Sequence, residues 1–330
     1  MAGRRDWTRE SLVAGVRAGD KRALARAITL VENGDPLAYE LVRDLYPDTG
    51  RTYAVGVTGP PGVGKSSLIS ALVRHVRGLG RTVGVVSIDP SSPFTTGALL
   101  GDRIRLADHF LDPEVFIRSM GTRGHLGGLA EAALQATLVL DAAGKDVVFL
   151  ETVGAGQSEI EVIRVADTVL LVLMPGSGDS VQALKAGIME IPDVIAVNKL
   201  DHPAAKTMVN EVRSILALDR EPDWRPPIVL TEAIRGENVE KLWDEIERHR
   251  SHLAEAGRLE ERRRDNLRGE VFALASARAK EHLVREVAGD AELERLLDEV
   301  HRRRLDPLTA VREILARVFH IPADGGRDGA

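Results

Sequence analysis

The stretch that decides the fold is Tyr53-Ala-Val-Gly-Val-Thr-Gly59-Pro-Pro-Gly-Val-Gly-Lys-Ser66. Its apolar start predicts a buried strand, its last eight residues fit the pattern G-x-x-x-x-G-K-[ST], and the helical stretch 67–76 follows. Glycines allow several backbone N–H groups to point at phosphate oxygens, and the helix N-terminus adds a positive dipole end. A chance glycine-rich turn explains the strand–loop–helix context less well. The sequence therefore predicts a phosphate-binding loop of Gly59, Pro61, Gly62, Val63, Gly64, Lys65, Ser66 and Ser67, in which Lys65 contacts the β- and γ-phosphates and Ser66 binds Mg²⁺.

Six further short apolar runs surround this motif and alternate with helical stretches. The seven runs are residues 53–57, 82–88, 115–117, 147–150, 168–173, 194–197 and 228–230. Continuous apolar runs are typical of strands that are buried on both faces. Their alternation with helices predicts an α/β fold with a doubly wound, mostly parallel sheet, whose ligands bind beyond the carboxyl ends of the strands.

Helical patterns flank the sheet region on both sides. Apolar residues recur at three- and four-residue steps in residues 1–50, which predicts an N-terminal helical extension. Residues 237–320 are charged and helical, with apolar stripes that need a partner surface, either the sheet domain or a second copy of the chain. We therefore expect an extension over 1–50, a sheet domain over 51–236, a helical region over 237–320 and a frayed tail over 321–330.

The base of the nucleotide is indicated by Asn198-Lys-Leu-Asp201, which follows a predicted strand and resembles the N-K-x-D element of GTPases. The Asp201 carboxylate can accept hydrogen bonds from N1–H and the exocyclic amine of guanine, whereas adenine presents the opposite pattern. Together, Asn198, Lys199 and Asp201 favour GTP and GDP over adenine nucleotides. The loop with Thr231, Glu232 and Ala233 follows the last strand, where GTPases place a second base-contacting loop, but it matches only loosely.

Acidic residues at the ends of two other predicted strands are candidates for binding Mg²⁺. Asp89 follows the second strand and Glu151 follows the fourth, positions from which a carboxylate can hold the ion directly or through water. Asp102 is a further candidate, although an acidic residue at a helix N-terminus explains it equally well. Glu151 and Gly154 form E-x-x-G, in which the Gly154 N–H would sense the γ-phosphate. Gln157 could orient the attacking water or be an exposed loop amide.

A glycine-rich loop after the fifth strand, Pro175-Gly-Ser-Gly-Asp-Ser180, can absorb large backbone changes. Lys185 beyond it could contact phosphate or a partner, or be a solvated helix residue. The pair His249 and His252 and the run Arg262-Arg-Arg264 are interpreted as solvated helix faces.

Composition excludes several classes of protein. The chain has 330 residues, with 44 basic and 50 acidic side chains and a formal charge of −6, which argues against a general nucleic-acid binder. Because it has no cysteine, it can have no disulfide framework, zinc ribbon, iron–sulfur cluster or thiol nucleophile. We find no apolar stretch long enough for a membrane span and expect a cytoplasmic protein.

Seven motifs together resemble the MeaB/ArgK family of P-loop GTPases. They are residues 59–66, Asp89-Pro-Ser-Ser92, Gly101-Asp-Arg103, Ser119-Met-Gly-Thr-Arg-Gly124, Glu151-Thr-Val-Gly-Ala-Gly-Gln-Ser-Glu159, Pro175-Gly-Ser-Gly-Asp179 and Asn198-Lys-Leu-Asp201. The resemblance extends over about residues 8–320, and the Glu-Thr-Val-Gly stretch is its most specific part. The loop at 231–236 matches the family only in part, which leaves base discrimination mainly to Asp201.

The resemblance implies a central G domain, a C-terminal helical arm that forms a homodimer, and an adenosylcobalamin-dependent acyl-CoA mutase as partner. In such proteins the nucleotide state gates loading of the cofactor and release of damaged cobalamin. By resemblance, the nucleotide- or Mg²⁺-handling positions are Lys65, Ser66, Asp89, Asp102 and Glu151. The loop containing Gly176, Asp179 and Lys185 matches a switch that responds to the mutase.

Two other functions compete with this interpretation. A small-molecule kinase of the arginine/ornithine transport type would need an acceptor pocket with a base near the γ-phosphate, and Asn198-Lys-Leu-Asp201 would have no role in it. A nickel-delivery GTPase would need a tract rich in histidine or cysteine, which the sequence lacks. Turnover is predicted to be slow, since no arginine finger is evident and Gln157 is not adjacent to Gly154.

Overall fold

The structure is a computed structural model that describes residues 7–89, 106–121, 128–152, 165–176, 191–217 and 223–321. Of the candidate site residues, five lie outside the described residues, as does the tail 322–330. These five are Asp102, Gly154, Gln157, Asp179 and Lys185.

The seven predicted strands form one parallel sheet. They are β1 (Tyr53–Thr58), β2 (Val83–Asp89), β3 (Val115–Gly121), β4 (Val147–Thr152), β5 (Thr168–Leu173), β6 (Val194–Asn198) and β7 (Ile228–Thr231). The strand order is β3-β2-β4-β1-β5-β6-β7, so the connections β1–β2, β3–β4 and β4–β5 join strands that are not adjacent in the sheet. The predicted doubly wound, parallel α/β fold is confirmed. Because all strands run in one direction, their carboxyl ends meet at one edge, where β1 leads into the phosphate-binding loop.

Helices cover both faces of the sheet. Among the described residues, the α-helices are α1 (Arg9–Arg17), α2 (Lys21–Glu32), α3 (Pro36–Leu45), α4 (Lys65–Gly78), α5 (Gly128–Ala142), α6 (Ala205–Leu216), α7 (Val239–Glu255), α8 (Arg258–Gly289), α9 (Ala291–His301) and α10 (Pro307–Phe319). On one face α4 and α7 pack on β1 and β5 around Phe149 and Trp243. On the other face α5 and α6 pack on separate parts of the sheet.

The N-terminal helices α1–α3 pack mainly on α5, and α2 also contacts β3, where Arg118 forms an ion pair with Glu32. Each begins at a side chain that caps its free backbone N–H groups: Thr8, Asp20 and Asp35. Leu12 and Ile28, which belong to the predicted apolar stripe, are fully buried and share one core with Val148 of β4. The extension is therefore a third layer over α5 rather than a separate module.

The chain divides into two compact units, Met1–Glu270 and Val271–Ala330. The first unit contains α1–α3, the whole sheet, α7 and the start of α8. It therefore extends across both boundaries predicted from the sequence, at 50/51 and 236/237. The reason is that α7 buries Leu242, Trp243 and Ile246 in the sheet core. The second unit contains α9 and α10, and Arg317 Nε of α10 lies 3.2 Å from Oδ2 of Asp290, the residue that caps the start of α9. Within the described residues, no helix is long and apolar enough to cross a membrane.

The edge of the sheet opposite the phosphate-binding loop carries a buried charged network. Arg263 binds Asp167 with two hydrogen bonds of 2.7 and 2.9 Å, and Arg262 binds Asp193 with bonds of 3.0 and 2.7 Å. His249 is only 1% exposed, and its Nε2 lies 3.3 Å from Asp193 Oδ1. The interpretation of these arginines and of His249 as solvated residues is therefore wrong. Their partners precede β5 and β6, and nothing local in the sequence marks such distant pairs.

His249 should make folding stability depend on pH. Burial lowers the pKa of His249 from 6.5 to about 4, although Asp193 opposes the shift; Arg262, His252 and Asp167 also face the ring. The unfolded chain binds a proton at His249 below about pH 6.5 and the folded chain does not until about pH 4. This stabilisation is therefore fully present above pH 6.5 and is lost as the pH falls to about 4, with a total of about 3 kcal/mol.

Chemical denaturation at several pH values between these limits tests the expectation. His249→Gln cannot titrate, so its free energy of unfolding should fall less steeply with acidification than that of the wild type. Parallel profiles for the two proteins would show that His249 has no such role.

Candidate nucleotide site

The phosphate-binding loop is held in shape by two glycines that approach other backbone or side-chain groups closely. Gly59 and Gly64 have φ values of 142° and 94°, which residues with a side chain rarely adopt. A Cβ at Gly59 would lie 2.0 Å from the Val172 carbonyl oxygen, and one at Gly64 would lie 2.5 Å from Asn198 Nδ2. Glycine is therefore required here both by conformation and by space.

Lys65 begins α4 and turns back over the loop. Its side chain is buried at 7% exposure, and Nζ donates hydrogen bonds to the carbonyl oxygens of Gly59 at 2.6 Å and Pro60 at 3.1 Å. The ammonium group thus lies across the mouth of the loop, where phosphate oxygens are expected. The predicted P-loop geometry, in which a strand leads through glycines to a helix that begins at the lysine, is present.

Ser66 and Glu151 come from different elements and meet beside this lysine. The Ser66 hydroxyl donates to Glu151 Oε1 at 2.6 Å, and the hydroxyl of Ser87 donates to Oε2 at 2.8 Å. Glu151 is 2% exposed, and strand pairing places it beside Val57 of β1 and Ser87 of β2. Sequence reasoning missed Ser87 as a site residue. Only the pairing of β2 with β4 in the folded sheet brings it opposite Glu151.

Ser66 and Glu151 offer oxygen atoms of the kind that bind Mg²⁺. The ion prefers oxygen ligands and usually keeps several waters, so one hydroxyl and one carboxylate are a plausible protein contribution. Asp89, the last residue of β2, ends at the same edge of the sheet. Among the described residues no group of three or more histidine, cysteine or acidic side chains forms a complete metal cage.

Asn198 connects the base-recognition motif to the phosphate-binding loop. At the end of β6 it is buried, and its Nδ2 donates to the Val63 carbonyl oxygen at 2.9 Å. Its Oδ1 accepts hydrogen bonds from the Ala233 N–H at 3.1 Å and the Thr231 hydroxyl at 3.3 Å. One amide therefore holds together three loops that are far apart in sequence.

The loop after β7 lies directly against the N-K-x-D turn. The backbone N–H of Leu200 donates to the Thr231 carbonyl oxygen at 3.0 Å, and Lys199 adopts a left-handed φ of 64°. Asp201 is exposed, whereas Glu232 is buried. The structure thus brings together the weakly matching residues 231–233 and the strongly matching 198–201.

Gly176 also lies close to this turn, because a Cβ there would be 3.4 Å from His202 Cε1. It has a left-handed φ of 76°. The start of the glycine-rich loop after β5 is therefore next to the base end of the site.

A parallel sheet whose first strand leads into a P-loop, with an N-K-x-D turn beside it, defines a P-loop GTPase. The sequence matches the family described as "Methylmalonyl Co-A mutase-associated GTPase MeaB" over residues 24–288. The chain belongs to the MeaB family of GTPases, as its motifs predicted.

Similar proteins agree with this assignment over nearly the whole chain. A "Putative GTPase" of Pyrococcus abyssi is 47% identical, covering 94% of this chain and 97% of its own length. The GTPase ArgK of Escherichia coli is 34% identical, covering 91% and 93%. The crystal structure of a LAO/AO transport system kinase is 26% identical, with a TM-score of 0.72, and covers 96% of this chain and all of that one.

Proposed function

We propose that this GTPase is a chaperone of an adenosylcobalamin-dependent acyl-CoA mutase, in which GTP binding and hydrolysis gate cofactor loading and protect or reactivate the mutase. The observation that carries the proposal is a guanine-type nucleotide site in a chain that matches the mutase-associated GTPase family over residues 24–288. A Caenorhabditis elegans protein named "Methylmalonic aciduria type A homolog, mitochondrial" is 35% identical, across 78% of this chain and 70% of its own length. Its name refers to methylmalonic aciduria, and the description of the family refers to methylmalonyl-CoA mutase.

Hydrolysis would proceed by in-line attack of water on the γ-phosphate. Lys65 and the backbone N–H groups of the loop would stabilise the charge that develops on the phosphate oxygens. Ser66, Glu151, Asp89 and Asp102 are the candidates for holding Mg²⁺, which when bound neutralises charge on the β- and γ-phosphates. Gln157 is the candidate for orienting the water, and Gly154 for contacting the γ-phosphate.

The mutase would complete the site. The loop with Gly176, Asp179 and Lys185 is our candidate for the segment that responds to it. A homodimer through the C-terminal helices is also proposed, since Phe272, Val284, Leu308 and Val311 there are large apolar side chains exposed to solvent.

A small-molecule kinase is the second candidate, favoured by the name of the similar solved structure, a transport system kinase. The hydrogen bonds that Asn198 donates to the Val63 carbonyl oxygen and accepts from the Ala233 N–H oppose it, because they build a base-recognition turn that an ATP-dependent kinase does not need. In the part of the chain that the structure describes, no group of three or more His, Asp or Glu side chains could hold a metal ion, so nothing there favours the nickel-delivery alternative.

Phosphate release from GTP and from ATP with Mg²⁺, with and without mutase, separates these functions. We expect slow release that is selective for GTP. The rate should rise at least about tenfold with the correct mutase, because a partner that completes a GTPase site can raise kcat by that factor or more. The panel should contain methylmalonyl-, isobutyryl-, ethylmalonyl- and 2-hydroxyisobutyryl-CoA mutases, because the sequence does not identify the client.

An unrelated acyl-CoA enzyme is the control for nonspecific stimulation. Preference for ATP together with phosphorylation of a small acceptor would establish the kinase instead. GTP-selective release that no mutase changes would keep the GTPase and remove the chaperone.

A further inference from the structure

Ser87 is a buried polar side chain in an otherwise apolar part of β2. It is 2% exposed, and its neighbours Val85, Val86 and Ile88 are core residues. Side chains alternate between the two faces of a strand, and Val85 belongs to the core beneath α4. Ser87 therefore lies on the same face as Val85 but closer to the carboxyl edge of the sheet, where α4 begins at the phosphate-binding loop.

The partner of this hydroxyl group is the Glu151 carboxylate on the neighbouring strand β4. Strand pairing sets the two residues side by side, and the Ser87 hydroxyl donates to Glu151 Oε2 at 2.8 Å. The other oxygen, Oε1, accepts from the Ser66 hydroxyl at 2.6 Å. Because a glutamate side chain has several rotatable bonds, hydrogen bonds at both oxygens fix its carboxylate better than one would.

The orientation of this carboxylate decides what the Ser66 hydroxyl can bind. A hydroxyl group has one proton to donate and two lone pairs. Because Ser66 gives its proton to Glu151, the lone pairs of its oxygen remain for Mg²⁺. If the carboxylate turned away, the Ser66 proton would lose its acceptor and could point towards the position of the ion.

We propose that Ser87 positions Glu151 so that Ser66 presents its oxygen to Mg²⁺, and that Ser87 thereby sets the affinity of the nucleotide-bound protein for the ion. Ser87 is a positioning residue, since it acts through Glu151 and Ser66. Groups that hold the ligands of a metal in place typically contribute about tenfold or more to its affinity. The inference rests on the Mg²⁺ site of the proposed function, but it does not depend on the mutase.

The test measures the affinity of the full chain for a fluorescent, non-hydrolysable GTP analogue while the concentration of free Mg²⁺ is varied. In the wild type the affinity should rise with Mg²⁺, and the midpoint of the rise reports binding of the ion. In Ser87→Ala the midpoint should move to an about tenfold higher concentration of Mg²⁺. With Mg²⁺ removed by EDTA, both proteins should bind the analogue equally, because the variant leaves Lys65 and the phosphate-binding loop unchanged.

Two further variants separate this role from the loss of a buried hydrogen bond. Ser70→Ala on α4 removes a hydroxyl group that is also buried and lies 3.0 Å from His109 Nε2. It should lower the stability of the fold as Ser87→Ala does, but it should keep the wild-type midpoint for Mg²⁺. Ser87→Thr retains a hydroxyl group and should have a midpoint close to that of the wild type.

A double-mutant cycle tests whether Ser87 acts through Glu151. Glu151→Ala removes the acceptor of both hydroxyl groups, so the addition of Ser87→Ala should shift its midpoint no further. An equal shift with and without Glu151 would overturn the proposal, as would a wild-type midpoint for Ser87→Ala.

A wild-type protein whose affinity does not respond to Mg²⁺ would remove the proposed metal site and the inference with it. Stimulation by a mutase is measured separately, so failure of the chaperone proposal would leave the outcomes for Ser87 unchanged.

Discussion

Lys65→Ala is expected to abolish GTP turnover, with kcat falling by at least about a hundredfold. The wild-type ammonium group is already positioned by the Gly59 and Pro60 carbonyl oxygens, so it can bind phosphate oxygens with little reorganisation. No other lysine or arginine among the described residues is placed across the mouth of the loop by such contacts. Its loss removes charge stabilisation that is strongest in the transition state. Single-turnover hydrolysis of bound GTP measures the chemical step directly.

The control is Lys206→Ala, which removes an exposed lysine from α6 and should retain full activity. Circular dichroism and thermal unfolding should show that Lys65→Ala is folded. Near-wild-type hydrolysis by a folded Lys65→Ala protein would contradict the assignment of the P-loop.

Asp201→Asn is expected to shift nucleotide preference from GTP towards xanthosine triphosphate. A carboxylate accepts hydrogen bonds from N1–H and the amine of guanine, whereas the asparagine amide can donate to the carbonyl that xanthine carries in place of the amine. Mismatched polar groups in a site of this kind cost several kcal/mol, so the ratio of kcat/KM values should change by about a hundredfold or more. The measurement is kcat/KM for both nucleotides.

Asp244→Asn is the matched control, since Asp244 is an exposed acid on α7. It should leave the preference unchanged. An Asp201→Asn protein that still prefers GTP to the same degree would remove the base-recognition argument while leaving phosphate binding by Lys65 intact.

Local sequence was sufficient to predict the strands and the P-loop. Each strand is a continuous apolar run because it is buried on both faces, and the glycines of the loop satisfy a conformational need within a few residues. The family was also predictable, because its motifs are short and contiguous. These features depend on neighbours along the chain.

The contacts that join distant segments could not be predicted in the same way. Arg263 and Asp167 look like ordinary charged residues until the fold brings them together, and Ser87 meets Glu151 only through strand pairing. The triplet with Glu232 matches GTPases only loosely, although the Leu200 N–H joins its loop to the N-K-x-D turn through the Thr231 carbonyl oxygen. Such pairs depend on topology, and one sequence without its fold does not specify them.

The bond from Asn198 to Val63 has a consequence for how the two ends of a nucleotide cooperate. Because one amide fixes the distance between the base turn and the phosphate loop, binding of either end places the other at a high effective concentration. Guanosine and pyrophosphate, as separate molecules, each lose translational and rotational entropy on binding, whereas GDP loses it only once. We therefore expect the site to select ligands by the distance between base and phosphates as well as by the chemistry of each end, so that a nucleotide with a longer or shorter connection between them would bind more weakly.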